Sequence, residues 1–276
     1  MNETLSPLQQ GRWKTVLIWI VLFAMAAFVG YQQIFSTFAE YDDEGYVMIS
    51  LRSFMNGQPL YDETFSQYGP AFYLVEGSIQ RLLDLPITHN VVRLKTIAKW
   101  LLVAAACAFF VGRLTRDSGT RSRPLSMLTF CIVFLHLDRL CLEPGHPQEL
   151  CALGVMAAVL CSLGISSMAW KTRLAGSVIL GVVCATLLLT KLNVGLFLTA
   201  AAISGLVVLL PPTRLKTYLL LCVYGGVAAL PLMLYRNHLL EIHSGLLAGI
   251  TAIGGVSLVY LAQKSRISKD LSLIHI

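Results

Sequence analysis

Charge is what this sequence has least of. Only 13% of its 276 residues are Asp, Glu, Lys or Arg, while 56% are hydrophobic, against a charged share of about 25% in ordinary soluble domains. A water-soluble globule with a normally charged surface is therefore excluded. The seven cysteines include no C-x-x-C pair, so the common zinc and dithiol spacings are missing. Cys107, Cys131, Cys161, Cys184 and Cys222 fall inside apolar runs, where a thiol behaves as a small hydrophobe. Cys141 and Cys151 flank a polar loop, but Pro144, Gly145 and Pro147 between them give no geometric warrant for a bridge. Internal repeats and low-complexity tracts are lacking as well, which removes solenoid architectures. Composition gives no hint of nucleic-acid binding, and the formal charge of +6 is better explained by the sidedness of loops in a membrane.

What the sequence has in abundance is long apolar blocks. They lie near 16–38, 91–111, 124–137, 150–168, 174–190, 194–210, 217–235 and 245–262, and most are long enough to cross a hydrocarbon core of about 30 Å at about 1.5 Å per residue. The expected fold is an all-α polytopic bundle with about eight spans. The first block is too long, and its flank too polar, for a cleaved signal peptide, so it reads as an uncleaved span. Residues 1–270 form one transmembrane domain in this reading. Residues 271–276, Leu-Ser-Leu-Ile-His-Ile, resemble the in-frame translation of a transposon mosaic end used in sequencing libraries and are set apart, with the native frame expected to continue past about Asp270.

A further segment, 69–85, is apolar but carries Glu76, Arg81 and Asp84, each costing about 2.5–3.5 kcal/mol at mid-membrane. If it does not cross, Arg12, Lys14, the four arginines of the 113–123 loop, and the basic pairs at 171–173 and 214–216 share the N-terminal side. If it does cross, those arginines become external, against the positive-inside rule. It is therefore expected to be an interfacial helix on the outer face, with the N-terminus cytoplasmic. Of the 15 acids, only Glu3, Asp117 and Asp270 then lie inside. Acids contribute little to insertion, so their crowding marks the outer face as the place for binding or chemistry.

The first outer loop is the most informative stretch. Asp42, Asp43 and Glu44 stand together at a membrane boundary, where like charges raise one another's pKa and one carboxylate could serve as a base. An ordinary solvated acidic loop is the plainer alternative. In order, the sequence supplies Asp43-Glu44, Tyr46, an amphipathic run, the turn from Gly57 to Tyr61, and Gly69-Pro70-Ala71-Phe72-Tyr73. This succession resembles the first luminal loop of the GT-C superfamily of integral-membrane glycosyltransferases, which includes protein O-mannosyltransferases and the lipid A aminoarabinose transferase. Tyr68-Gly69-Pro70 stands where the closest branch usually carries a basic residue and two prolines, so the likeness is to the broad family-39-type group. It covers roughly the first two hundred residues.

The resemblance implies transfer of a sugar from a polyprenyl-phosphate donor to a lipid, glycan or protein acceptor on the outer face. It implies Asp43 as base and Glu44 as the group that orients the acceptor or tunes Asp43. Tyr46, Tyr61 and Tyr73 would offer amphipathic rings to sugar or interface. Arg93, in an Arg-Leu that the family often places at the start of the second span, is either a phosphate ligand or an interfacial anchor. The polar loop 143–149 is either a tight turn punctuated by Pro and Gly or a second cluster in which Glu143, His146 and Glu149 meet sugar or acceptor. Lys191, between an apolar run and Asn193, either binds phosphate or snorkels to the interface. Arg236, with His238, Glu241 and His243, forms a further external patch, and its spacing matches no established metal motif. No metal ligand set is assigned, and a divalent cation is left open. The rival readings are a transporter or flippase of a lipid-linked or anionic solute, and a non-catalytic envelope-assembly protein. The expected location is a bacterial inner membrane.

Overall fold

In hydrocarbon a backbone must satisfy its own N–H and C=O groups, so apolar runs of this length are expected to be helical. The computed structural model bears this out over the residues it describes, which are 7–36, 43–116, 122–140, 143–165, 170–238 and 240–274. Ten helices follow one another: α1 (Pro7–Ser36), α2 (Asp43–Met55), α3 (Pro70–Leu82), α4 (His89–Leu114), α5 (Ser122–Leu140), α6 (Pro147–Ile165), α7 (Trp170–Leu188), α8 (Leu192–Leu209), α9 (Arg214–Leu234) and α10 (Ile242–Ile274). No strand occurs among the described residues; Leu60 and Thr64 form one isolated bridge.

Six of these helices, α1, α4, α7, α8, α9 and α10, contain stretches long and apolar enough to cross a membrane. Their outward faces carry Leu17, Met25, Phe28, Leu102, Phe109 and Val182, each more than half exposed. Buried positions include Glu44, Glu76, Lys99 and Glu149. Apolar side chains outside and ionic ones inside is the inverse of a soluble protein and fits a lipid-facing surface. Segment 69–85 gives α3, whose 13 residues span only about 20 Å and fall short of a crossing. Along α4, Arg93 and Arg113 stand twenty residues apart, about 30 Å, which matches the thickness of a hydrocarbon core.

The chain forms two compact units, Met1–Gly195 and Leu196–Ile276. In the first, α4 packs chiefly on α5 and also on α1 and α6, while α6 lies along α7. Ala26 and Ile34 of α1, Ile97, Trp100 and Ala104 of α4, and Phe130 and Phe134 of α5 make its core. A separate cluster of Val47, Leu51, Tyr68, Phe72 and Tyr73 joins α2 to α3. In the second unit Val207, Val208 and Leu220 pack together, and Lys216 Nζ donates to the Val208 and Leu210 carbonyls at the end of α8, satisfying acceptors that a helix C-terminus leaves open.

The start of α3 is fixed by two residues. Pro70 fills the first helical position, where its missing N–H costs nothing. Gly69 N donates to Thr190 O (3.0 Å) and Ala71 N to Leu189 O (3.1 Å), so α3 is docked on the turn between α7 and α8. A Cβ on Gly69 would lie 1.9 Å from the Leu189 carbonyl oxygen. Gly69→Ala should therefore force this backbone contact apart and destabilise the protein by at least about 2 kcal/mol, read as a lower thermal unfolding midpoint in detergent. Gly181→Ala, where the space is open, should leave that midpoint unchanged or higher.

Candidate functional site

The polar segments expected at the outer face converge at one end of the first unit, and α4 is the element on which they meet. Its first turn is capped by Thr88, whose hydroxyl accepts from Val91 N. Across that turn Arg93 Nε donates to both Glu44 oxygens at 3.2 and 3.1 Å, and Nη2 donates to Oε2 at 3.0 Å. His89 Nδ1 lies 3.1 Å from Glu44 Oε1, and the Arg93 guanidinium sits 5.6 Å over the Phe35 ring of α1. Arg93 thus ties α1, α2 and α4 together through a charge-assisted fork and a cation–π contact. Asp43 stands at the first position of α2; its side chain lies outside the described part of the structure, as do Glu40 and Asp42.

Deeper along α4 lies a second, largely buried ionic group. Lys99 Nζ donates to Glu76 Oε1 (2.7 Å) and Glu149 Oε2 (3.2 Å), and Lys95 Nζ donates to Glu76 Oε2 (2.8 Å). Glu149 Oε1 accepts from Thr96 Oγ1 (2.7 Å) and from Gly145 N (3.1 Å). Gly145 holds φ at +79°, and a Cβ there would meet Val92 at 2.5 Å, so only glycine lets this turn close on α4. Two carboxylates and two ammonium groups answer one another, the condition under which charges persist in the interior. Burial would raise the pKa of Glu76, but the ammonium groups of Lys99 and Lys95 outweigh it and hold the carboxyl below its ordinary value.

Loop 143–149 meets the loop between α2 and α3 through an aromatic contact. Tyr68 OH and His146 Nε2 are 2.7 Å apart, both side chains buried, with the rings edge to face. Gln148 N donates to His146 Nδ1 (3.3 Å), so a neutral ring carries its proton on Nε2 and donates to the Tyr68 oxygen. Glu143 approaches the same Nε2 at 3.8 Å. Tyr46 OH donates to Phe65 O and Tyr61 OH to Tyr68 O, both at 2.9 Å. Tyr61 adopts φ of 76°, and Tyr73 OH pairs with Ser66 Oγ at 2.6 Å. These tyrosines brace the loop that joins α2 to α3.

The expected site residues therefore fall into three groups. Glu44, Tyr46, Tyr61, Arg93, Glu143 and His146 are gathered at one end, together with Lys191 on the turn where Gly69 docks. Lys191 is half-buried, and among the described residues its ammonium has neither a hydrogen-bond nor an ion-pair partner. Glu149, expected to face sugar or acceptor, instead opens α6 fully buried against Lys99, because α4 presents a buried cation that needs it. Arg236 is exposed in the second unit, near the His238–Glu241 pair at 2.7 Å. Sequence reading missed the role of Lys95, Thr96 and Lys99. Their signal was two lysines four apart and a threonine on an otherwise apolar span, which must find partners inside the protein. Among the described residues no three His, Cys, Asp or Glu side chains gather as a metal-ligand set.

Fold and site together define an all-helical protein with membrane-length helices and an ionic, tyrosine-braced cluster at one end of its first unit. Comparison with family models, with curated proteins and with solved structures finds no match to this chain.

Because the folded pKa of Glu76 lies below its unfolded one, the ionised group contributes stability that is complete above about pH 4.5 and lost as pH falls through the folded value. The thermal midpoint should accordingly drop on acidification below that pH. Glu76→Gln should lower the midpoint at neutral pH and flatten its acid dependence; an acid limb as steep as that of the parent protein would remove Glu76 from this role.

Proposed function

We propose that the protein is a membrane glycosyltransferase that moves a sugar from a polyprenyl-phosphate donor to an acceptor at the outer face. In this reading α5 and α6 cross together with the six long apolar helices, giving eight spans, and α2 and α3 lie at the interface. The observation that carries the proposal is the half-buried ammonium of Lys191 beside the start of α3, which has no partner among the described residues. Nearby, Glu44 is paired with Arg93 and Glu76 with Lys95 and Lys99, while Arg52 and Arg81 donate to the Ile87 and Met55 carbonyls. An unpaired cation at a membrane boundary suits a lipid-borne phosphate, whose tail remains in hydrocarbon while its charged group needs a partner.

In this reading the chemistry is divided between Asp43 and Lys191. Asp43, held at the head of α2 by the Glu44–Arg93 fork one residue on, takes the proton of the acceptor hydroxyl as its oxygen attacks the anomeric carbon. The bond from that carbon to the phosphate oxygen breaks, and the phosphate leaves as an anion stabilised by Lys191. No general acid is required, because this leaving group carries its charge at neutral pH. Arg93 acts here as a positioning residue, since its Nε and Nη2 are engaged by Glu44.

A second reading is favoured by one specific observation. Lys99 lies about 15 Å into α4, paired with Glu76 and Glu149, and ionisable groups within a span are a feature of transporters. Transfer and transport separate in proteoliposomes supplied with a polyprenyl-phosphate hexose. The enzyme reading expects new glycosidic product, a loss of about a hundredfold or more with Asp43→Asn, and weaker donor binding with Lys191→Ala at normal expression. Movement of intact donor between leaflets without product would establish the transport reading instead.

A further inference from the structure

At the other end of the first unit, α1, α4 and α5 leave a cleft of about 440 Å³, within the range of small-ligand sites of about 300–1,000 Å³. Its walls are apolar, with Trp19 and Phe23 from α1 and Phe109 from α4. Its mouth is basic, with Arg113 in the last turn of α4 and Arg123 in the first turn of α5. Arg123 Nη1 reaches Thr15 Oγ1 on α1 at 3.4 Å, so the three helices meet around the charged end. Among the described residues no carboxylate lines the cleft and neither arginine forms an ion pair. The chemistry absorbed by the proposed function lies at the opposite end of α4.

We propose that this cleft is a binding site for one glycerophospholipid with an anionic headgroup. Two guanidinium groups match a phosphodiester in shape and charge, and the aromatic wall beneath them offers an acyl chain a protein surface. Charge decides the occupant. A zwitterionic lipid would bring its own cation to two arginines that have no ion-pair partner among the described residues, and a free inorganic anion would leave the apolar wall uncovered. The anionic phospholipid alone satisfies both parts of the cleft.

The test is native mass spectrometry of the whole chain released from micelles containing equal amounts of phosphatidylglycerol and phosphatidylcholine. One phosphatidylglycerol should be retained in preference, and Arg113→Ala with Arg123→Ala should weaken that retention about thirtyfold, from the attraction of two basic residues for an anionic lipid. Arg113→Lys with Arg123→Lys, which keeps the charge and guards against loss of fold, should retain a clear preference for phosphatidylglycerol. Lys171→Ala with Arg173→Ala, removing an exposed basic pair elsewhere, should change nothing. Equal retention of the two lipids by the parent protein, unchanged preference in the double alanine variant, or equal loss on removing Lys171 and Arg173 would each overturn the proposal.

Discussion

A cation on a membrane-length helix has to be answered by the protein, and α4 carries three in its first eleven residues: Arg93, Lys95 and Lys99. Water and lipid headgroups can serve a lysine at a helix end, but they cannot reach Lys99, whose side chain is almost wholly buried. Its partners come from two other helices, Glu76 on α3 and Glu149 on α6, while Arg93 takes Glu44 from α2. The same pairings that make α4 tolerable in hydrocarbon therefore determine where α2 and α3 sit. Removing one partner would leave an uncompensated buried charge, whereas the complete set is close to neutral. This is why the assembly is better understood as specifying an arrangement than as a source of large net stability.

That arrangement also separates charge engaged within the protein from charge that is not. Glu44, Glu76 and Glu149 are consumed by the frame, and so are Arg93, Lys95 and Lys99. Lys191 is not, and it is carried by the turn that receives Gly69. On α4, about 30 Å from Arg93, Arg113 stands at the mouth of the basic cleft. The two ends of α4 are thus specialised differently: one end answers its charges from within, and the other presents them outward.

Much of this was legible in the residues, for identifiable reasons. Apolar block length gave most of the helices because hydrocarbon leaves a single chain little alternative. The charges at 76, 81 and 84 marked segment 69–85 as too costly to cross. Loop 143–149 reads in the sequence as either a tight turn or a second polar cluster, and its contact with the loop between α2 and α3 is made by Tyr68 and His146. What could not be read was pairing. Glu76 looked like a reason for exposure and is instead buried, because two lysines nineteen and twenty-three residues later, one turn apart on α4, supply the compensation. Glu149 looked like a loop carboxylate for the same reason. Sequence shows that a buried cation needs a partner, but helix packing decides which acid reaches it.

The central claim is that α4 gathers the polar segments on the outer side of the membrane and leaves the 113–123 arginines on the cytosolic side. Single cysteines replacing Asp62 and Arg116, both exposed, in a chain whose own cysteines have been substituted, test it directly with a membrane-impermeant maleimide. Intact cells should label Asp62→Cys and spare Arg116→Cys, with both labelled once the membrane is opened. Labelling of both positions, or of Arg116→Cys alone, in intact cells would contradict the account.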